Sequence, residues 1–201
     1  GLATRMGGGD KGLLSLGGQS LMARVIDRLS PQVRQIALNA NGDGARFDDF
    51  RLPVIPDSVE GFAGPLAGVL AGLDWAAEQG AEAIVTVAAD TPFFPHDLVA
   101  RLVAASDGQS HPLALATTPK SGDEVLKSGG KGRVNRHPTF GLWPVTLRDE
   151  LRAALTGGLR KVVLWTDQHG GREALFEAEP FDPFFNVNTP EEFTALTPSA
   201  S

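Results

Sequence analysis

The clearest indication of architecture in this chain is an apolar run that ends in a carboxylate: Ala83-Ile84-Val85-Thr86-Val87-Ala88-Ala89-Asp90-Thr91-Pro92. Residues 83–89 are apolar on both faces, which is typical of a central parallel strand covered by helices on either side. Asp90 is then expected at the carboxyl end of that strand, where α/β sheets bind their ligands, and a carboxylate there can hold a hard cation such as Mg²⁺. An Asx turn explains the same Asp-Thr-Pro sequence equally well.

Segments with helical and strand periodicity alternate on both sides of this run. Helices are predicted over residues 20–29, 65–79, 95–105 and 146–155, and strands over residues 33–39, 52–55, 113–117 and 139–143. Ser20 is placed to cap the first helix and Gly80 to end the second. The alternation predicts an α/β fold, in which right-handed crossovers build a three-layer α/β/α sandwich around a mostly parallel sheet.

Length, charge and composition restrict the class of protein. The chain has 201 residues, a net charge of −6 and 42% hydrophobic residues, which predict one soluble domain over residues 1–196 and a tail at residues 197–201. It contains no cysteine, so disulfides, thiolate catalysis and Cys-ligated metals are excluded. An acidic chain without long apolar runs is expected to be cytoplasmic, and to bind a small molecule rather than nucleic acid or a membrane.

A glycine-rich segment opens the sequence: Gly1-Leu2-Ala3-Thr4-Arg5-Met6-Gly7-Gly8-Gly9-Asp10-Lys11-Gly12. Small residues let backbone amides approach an anion, and Arg5 and Lys11 add positive charge, so the segment resembles a phosphate-binding loop. It matches neither the P-loop nor the dinucleotide fingerprint. Composition by itself therefore favours a solvated terminus.

A second glycine-rich segment covers residues 119–138. It holds five Lys or Arg against two Asp or Glu, together with four glycines. This composition predicts a mobile, basic loop.

Taken together, these segments resemble the molybdopterin nucleotidyltransferase family. The opening segment, with Arg5-Met6-Gly7 and Asp10-Lys11, is similar to the family's signature loop. Further motifs that agree in order are Asn39-Ala40-Asn41, Pro56-Asp57-Ser58, Gly64-Pro65-Leu66-Ala67-Gly68, Ala89-Asp90-Thr91-Pro92, Arg136-His137-Pro138, Phe140-Gly141-Leu142-Trp143, Arg160-Lys161-Val162 and Phe185-Asn186-Val187-Asn188-Thr189-Pro190-Glu191. The resemblance covers nearly the whole chain and implies a Rossmann-like nucleotidyltransferase fold.

The resemblance also implies a reaction. The Gly-Pro-Leu-Ala-Gly and Asn-Val-Asn-Thr-Pro runs are similar to those of members that join GMP to molybdopterin. The expected reaction is attack of the terminal molybdopterin phosphate on the α-phosphorus of Mg-GTP, with release of pyrophosphate. The expected partners are GTP, molybdopterin and the apo-proteins of molybdoenzymes or their chaperones, and the expected state is a monomer or weak oligomer.

Carried over position by position, the resemblance implies the residues of the site. The expected catalytic residues are Lys11, Asp90 and Arg5, and Asp90 is the expected Mg²⁺ ligand. Contacts with the nucleotide or the pterin are expected at Gly1, Lys11, Asn39, Asp57, Gly68, Asp90, Arg160, Asn186 and Asn188. Lys161 and Arg136 are further candidates for contact with the pterin phosphate. One Mg²⁺ with Lys and Arg can neutralise a triphosphate without a covalent intermediate.

Other interpretations stay open at this point. Asp57 can simply make a turn, Asn39 can close a strand end, and Arg160 can lie on the polar face of a helix. The alternative enzymes are a cytidylyltransferase for the same pterin and a sugar-phosphate nucleotidyltransferase, and the alternative of another class is a non-catalytic nucleotide- or cofactor-binding adaptor. Lys11 together with Asp90 favours catalysis. Because the family's signature loop follows an apolar strand, we also expect such a strand before Gly1.

Overall fold

The computed structural model describes residues 11–59, 64–120 and 134–196. The described strands are Ser15–Leu16 (β1), Gln19–Ser20 (β2), Leu38–Asn39 (β3), Val54–Ile55 (β4), Ala83–Thr86 (β5), Ala114–Pro119 (β6), Val134–Pro144 (β7) and Arg172–Leu175 (β8). The described α-helices are Leu21–Leu29 (α1), Pro65–Glu78 (α2), Leu98–Ala105 (α3), Arg148–Thr156 (α4), Val162–Gln168 (α5) and Pro190–Leu196 (α6). The predictions made for Gly1, Arg5 and residues 121–133 lie outside the described residues.

The main sheet is mixed, with one strand direction prevailing. Its strand order is β5-β7-β6-β8. β6 and β8 pair in parallel, whereas β7 is antiparallel to both β5 and β6. β5, β6 and β8 therefore run in one direction, which agrees with the predicted α/β class, although two of the three described ladders of this sheet are antiparallel. A separate parallel pair, β3 and β4, brings Asn39 opposite Ile55.

Apolar side chains from helices cover both faces of the main sheet. One buried cluster joins α1 and α3 to the sheet through Val25, Leu29, Leu98, Leu102, Phe140 and Leu142. A second joins α2, α4 and α5 to the sheet through Leu70, Leu73, Trp143, Leu151, Leu155 and Trp165. Successive strand residues point to opposite faces, so Ala114 belongs to the first cluster and Leu115 to the second. This arrangement confirms the predicted three layers.

The apolar run at residues 83–89 is covered on both faces but is not central among the described strands. Ile84 packs against the second cluster and Val85 against the first, which explains its apolar character. However, only Ala83–Thr86 is strand, and its described ladder is a single antiparallel one with β7 at the edge of the sheet. Among the described strands, the predicted parallel pairing of this run is therefore corrected to an antiparallel ladder with β7. Beyond β5 lies a cavity of about 970 Å³ that β3 also lines.

The largest of the other boundary differences concern the strands predicted over residues 33–39 and 139–143. The strand predicted over residues 33–39 is reduced to Leu38–Asn39, because strand structure is present only where β4 supplies a ladder. The strand predicted over residues 139–143 extends to Val134–Pro144, because β6 pairs with its beginning, Pro119 opposite Val134. Part of the predicted basic loop is thus strand.

The start of α1 and the end of α2 confirm the predicted helix signals. Ser20 caps α1, and its hydroxyl accepts a hydrogen bond from the Ala23 amide at 3.1 Å. Gly80 follows α2 in a left-handed conformation, with φ of 68°. None of the helices in the described ranges is long and apolar enough to cross a membrane.

Candidate functional site

Two groups of residues predicted from the sequence line the cavity between β3 and β5. The first group comes from the start of the described chain and from the loops after β5 and before α6, and it includes Lys11, Asp90 and Asn186. The second comes from the end of β3 and from α2, and it includes Asn39 and Gly68. The rest of the lining is largely apolar, with side chains such as Val85 and Ile36. The fold thus collects five of the residues predicted from sequence around one space.

Lys11 begins a single 3₁₀ turn, Lys11–Leu13, and its side chain is held from the far end of the chain. Lys11 Nζ donates a hydrogen bond to Asn188 Oδ1 at 2.6 Å. The turn lies close to Ala89, the residue before Asp90. A Cβ on Gly12 would lie only 3.2 Å from Ala89 Cβ and 2.9 Å from Met22 Cε. Gly12 is therefore needed for this close approach.

Asp90 follows β5 with its backbone fixed and its carboxylate uncommitted. Its carbonyl oxygen accepts a hydrogen bond from the Val187 amide at 2.9 Å. The next residue, Thr91, is fully buried and donates through Oγ1 to Asn186 Oδ1 at 2.7 Å. Within the described ranges, the Asp90 carboxylate takes part in neither a hydrogen bond nor an ion pair. The structure therefore does not show the alternative Asx turn.

The chemistry of Asp90 fits a magnesium ligand. Mg²⁺ is commonly held by one or two carboxylates together with substrate phosphates, rather than by a cage of protein ligands. A half-buried carboxylate with free oxygens, in the wall of a cavity that Lys11 also lines, meets that requirement. The described residues contain no group of three or more His, Cys, Asp or Glu that could hold a metal. A cation at Asp90 would therefore depend on oxygens from its ligand.

Asp57 lies between two asparagines. Asn39 Nδ2 donates to Asp57 Oδ1 at 3.1 Å, and Asn41 Nδ2 donates to Asp57 Oδ2 at 2.8 Å. The Asp57 amide in turn donates to Asn41 Oδ1 at 2.9 Å. The parallel pairing of β3 and β4 brings these residues together, because Asn39 is opposite Ile55. Asn41 belongs to the quoted Asn-Ala-Asn motif, but it was not among the predicted site residues.

Gly68 lets α2 approach Asn39. A Cβ at position 68 would lie 2.5 Å from Asn39 Oδ1, which is closer than side chains tolerate. The hydrogen of Gly68 therefore leaves room for the amide that contacts Asp57.

The three basic residues predicted to contact the pterin phosphate do not line this cavity. Arg160 Nη1 donates to the carbonyl oxygens of Leu155 and Leu159, at 3.1 and 2.8 Å. Lys161 precedes α5 as its N-cap residue and makes no side-chain cap bond.

Arg136 lies on β7 and is paired with two carboxylates, Asp167 at 2.7 Å and Glu173 at 2.9 Å. Partial burial disfavours its charge, but the hydrogen bonds and charges of Asp167 and Glu173 outweigh that effect and raise the pKa of the guanidinium. For Arg136 to bind a phosphate, it would have to exchange these partners.

Residues 1–171 match the family described as "MobA-like NTP transferase domain". A protein of Bradyrhizobium sp. (strain ORS 278) named molybdenum cofactor guanylyltransferase is 50% identical over 195 residues, covering 96% of this chain and 85% of the relative. A protein of Mesorhizobium japonicum with the same name is 47% identical over 197 residues, covering 96% of this chain and 88% of the relative.

Two solved structures share the fold. Molybdopterin-guanine dinucleotide biosynthesis protein A from Archaeoglobus fulgidus superposes with a TM-score of 0.64 at 21% identity, covering 97% of this chain and 92% of its own. CMP:2-keto-3-deoxy-manno-octonic acid synthetase complexed with CTP superposes with a TM-score of 0.66 at 15% identity, covering 92% of this chain and 89% of its own.

Proposed function

This chain belongs to the MobA-like NTP transferase family, and on that premise we propose that it transfers GMP from GTP to the terminal phosphate of molybdopterin. Curated relatives that match nearly the whole chain and are named molybdenum cofactor guanylyltransferase support the assignment. The observation that carries it is the placement of a cation and a free carboxylate, Lys11 and Asp90, in the wall of one cavity. An adaptor that only binds a nucleotide has no need of the carboxylate.

In the proposed reaction an oxygen of the molybdopterin phosphate forms a bond to the α-phosphorus of GTP. The bond between the α-phosphorus and the oxygen that bridges the α- and β-phosphates breaks, and pyrophosphate leaves. Lys11 neutralises charge on the triphosphate and on the leaving pyrophosphate. Asp90 would hold Mg²⁺, which when bound adds positive charge at the phosphates. The Val187 amide fixes the Asp90 backbone, and Asn186 holds the side chain of the next residue, Thr91, so the position from which the Asp90 carboxylate extends into the cavity is fixed.

We propose the Asn39–Asp57–Asn41 group as a further contact for the nucleotide. Its three side chains hold one another in a defined arrangement before any ligand binds. Such preorganisation reduces the entropy lost on binding. Asn186 and Asn188 are proposed to contact the ligand from the side of Asp90 and Lys11. Asn188 accepts a hydrogen bond from Lys11, and Asn186 accepts one from Thr91, the residue after Asp90.

The test is a transfer assay with purified protein, Mg²⁺, molybdopterin and either GTP or CTP. We expect pyrophosphate release with GTP and a product whose mass equals molybdopterin plus GMP. Faster release of pyrophosphate with CTP than with GTP would show that the enzyme is a cytidylyltransferase instead. Binding of GTP without release of pyrophosphate would favour the adaptor instead.

A further inference from the structure

The first turn of α6 contains a capping box that the transfer reaction above does not use directly. The Thr189 hydroxyl accepts a hydrogen bond from the Glu192 amide at 3.2 Å. In return, Glu192 Oε2 accepts from the Asn188 amide at 2.7 Å and from the Thr189 amide at 3.3 Å. Both return bonds thus end on a single carboxylate oxygen. This reciprocal arrangement fixes the backbone where the chain enters the helix.

The residue whose backbone is held in this way is the residue that holds Lys11. Asn188 Oδ1 accepts from Lys11 Nζ at 2.6 Å, and Asn188 Nδ2 donates to the Asn186 carbonyl oxygen at 3.1 Å. The second bond orients the Asn188 amide so that its oxygen faces the lysine. The position of Lys11 Nζ therefore follows from the position of the Asn188 backbone.

Apolar packing anchors the same segment beneath these polar contacts. Val187 is fully buried and forms a cluster with Leu21 and Phe193. The Phe193 ring stacks on Phe93, with centroids 5.6 Å apart. The Asp90 loop shares this anchor, because the Val187 amide donates to the Asp90 carbonyl oxygen. Against this fixed base, Glu192 supplies the polar bonds that set the conformation of Asn188.

We propose that Glu192 is a positioning residue for nucleotide transfer: it orders the Asn188 backbone and through it sets where Lys11 Nζ meets the triphosphate. This inference rests on the proposed function. Misplacing a group by about 1 Å can lower a rate by up to about 100-fold, so loss of the two bonds that Glu192 accepts can be visible in catalysis.

Glu192→Ala, Glu192→Gln and the matched control Glu191→Ala test the proposal. Glu191 lies in the same first turn and is exposed, so its removal causes the same change of charge at the helix start. We expect Glu192→Ala to lower kcat/KM for GTP by about tenfold and Glu191→Ala to leave it unchanged. Glu192→Gln should retain most of the activity, because the single oxygen that takes both bonds has a counterpart in the amide.

A double variant separates positioning from general destabilisation. If Glu192 acts through Asn188, then adding Glu192→Ala to Asn188→Ala should lower kcat/KM for GTP little further. If the two residues act independently, the fold-losses of the single variants should multiply in the double variant. Multiplicative losses, or wild-type kinetics in Glu192→Ala, would overturn the proposal.

A readout that needs no catalysis distinguishes failure of this inference from failure of the proposed function. Acetic anhydride labelling, followed by peptide mass spectrometry, measures the reactivity of Lys11 Nζ directly. Glu192→Ala should change Lys11 labelling by about twofold or more relative to wild type, and Glu191→Ala should not. Equal labelling in all three proteins refutes the positioning role. Altered labelling in Glu192→Ala, together with a wild type that makes no dinucleotide, refutes only the proposed reaction.

Discussion

At the scale of single residues, the two proposed catalytic groups of the site are held in different ways. Lys11 is fixed by Asn188, whereas among the described residues only the backbone of Asp90 is bound and its carboxylate has no partner. A side chain without a protein partner can be changed without leaving a buried polar group unsatisfied. Asp90 is therefore a residue whose loss should affect activity and not folding.

We predict that Asp90→Asn lowers kcat/KM for GTP by at least about 100-fold, because it removes the charge that would hold Mg²⁺. Its thermal midpoint should stay within about 1 °C of wild type, since no described contact is lost. Asp97→Asn is the control: Asp97 is also acidic and close in sequence, but it is exposed and makes no side-chain cap bond at the start of α3. Full activity in Asp90→Asn, or a large fall in its midpoint, would contradict the assignment.

At the scale of elements, the approach of α2 to β3 sets the geometry of the Asn39–Asp57–Asn41 group. Gly68 and Gly72 are one turn apart on this helix, and each faces a different neighbour. A Cβ at 68 meets Asn39 Oδ1 at 2.5 Å, whereas a Cβ at 72 meets the terminal Ile84 Cδ1 at 2.7 Å. The end of an isoleucine side chain can rotate away, but the Asn39 amide can move only by losing its bond to Asp57.

We predict that Gly68→Ala weakens GTP binding about tenfold and that Gly72→Ala leaves it within about twofold of wild type. Both substitutions remove a helix-interior glycine, so their effects on helix propensity match at about 0.8–1.0 kcal/mol each. Isothermal titration calorimetry with GTP measures the difference. If the two variants bind GTP equally, Asn39 does not contact the nucleotide.

At the scale of the whole molecule, the pH dependence of stability should reflect one partly buried histidine, His137. His137 lies on β7, where Nε2 is 2.9 Å from Thr118 Oγ1 and the ring centroid is 4.4 Å from that of Phe184. Burial lowers the pKa of this imidazole, and the Asp182 carboxylate opposes the effect only in part. The folded protein therefore favours neutral His137 more strongly than the unfolded chain does.

We predict that the free energy of unfolding decreases as the pH falls below about 6.5, the ordinary histidine pKa, because the unfolded chain then binds a proton that the folded chain resists. Above that pH the histidine is neutral in both states and its contribution is fully present. His137→Gln should flatten the dependence between pH 6.5 and 5, measured by urea unfolding at each pH. His96→Gln, at an exposed position, should keep the wild-type slope. Parallel slopes in all three proteins would exclude His137 as the cause.

Local patterns in the sequence were enough to predict those features of the structure that depend on residues close together in the chain. The Ser20 cap, the glycine after α2 and the apolar faces of the helices all depend on contacts within a few residues, so their signals are visible in the letters alone. The resemblance to a nucleotidyltransferase family added Lys11, Asn39, Asp57, Gly68 and Asp90 as site residues, and the fold brings these residues to one cavity or its immediate contacts.

The remaining features of the fold and of the site depend on contacts between residues far apart in the sequence. β8 was not predicted, because the strand needs β6 beside it. α6 was not predicted either, although the spacing of Thr189 and Glu192 is a local capping-box signal; the packing of Phe193 on Phe93 that seats this helix is long-range. The antiparallel pairing of β5 with β7 joins residues more than 50 positions apart, and no pattern within residues 83–89 records it. The contact between Lys11 and Asn188 joins residues 177 positions apart, and the role of Glu192 depends on it. Periodicity describes which face of an element is apolar, but only tertiary packing selects the partner that covers it.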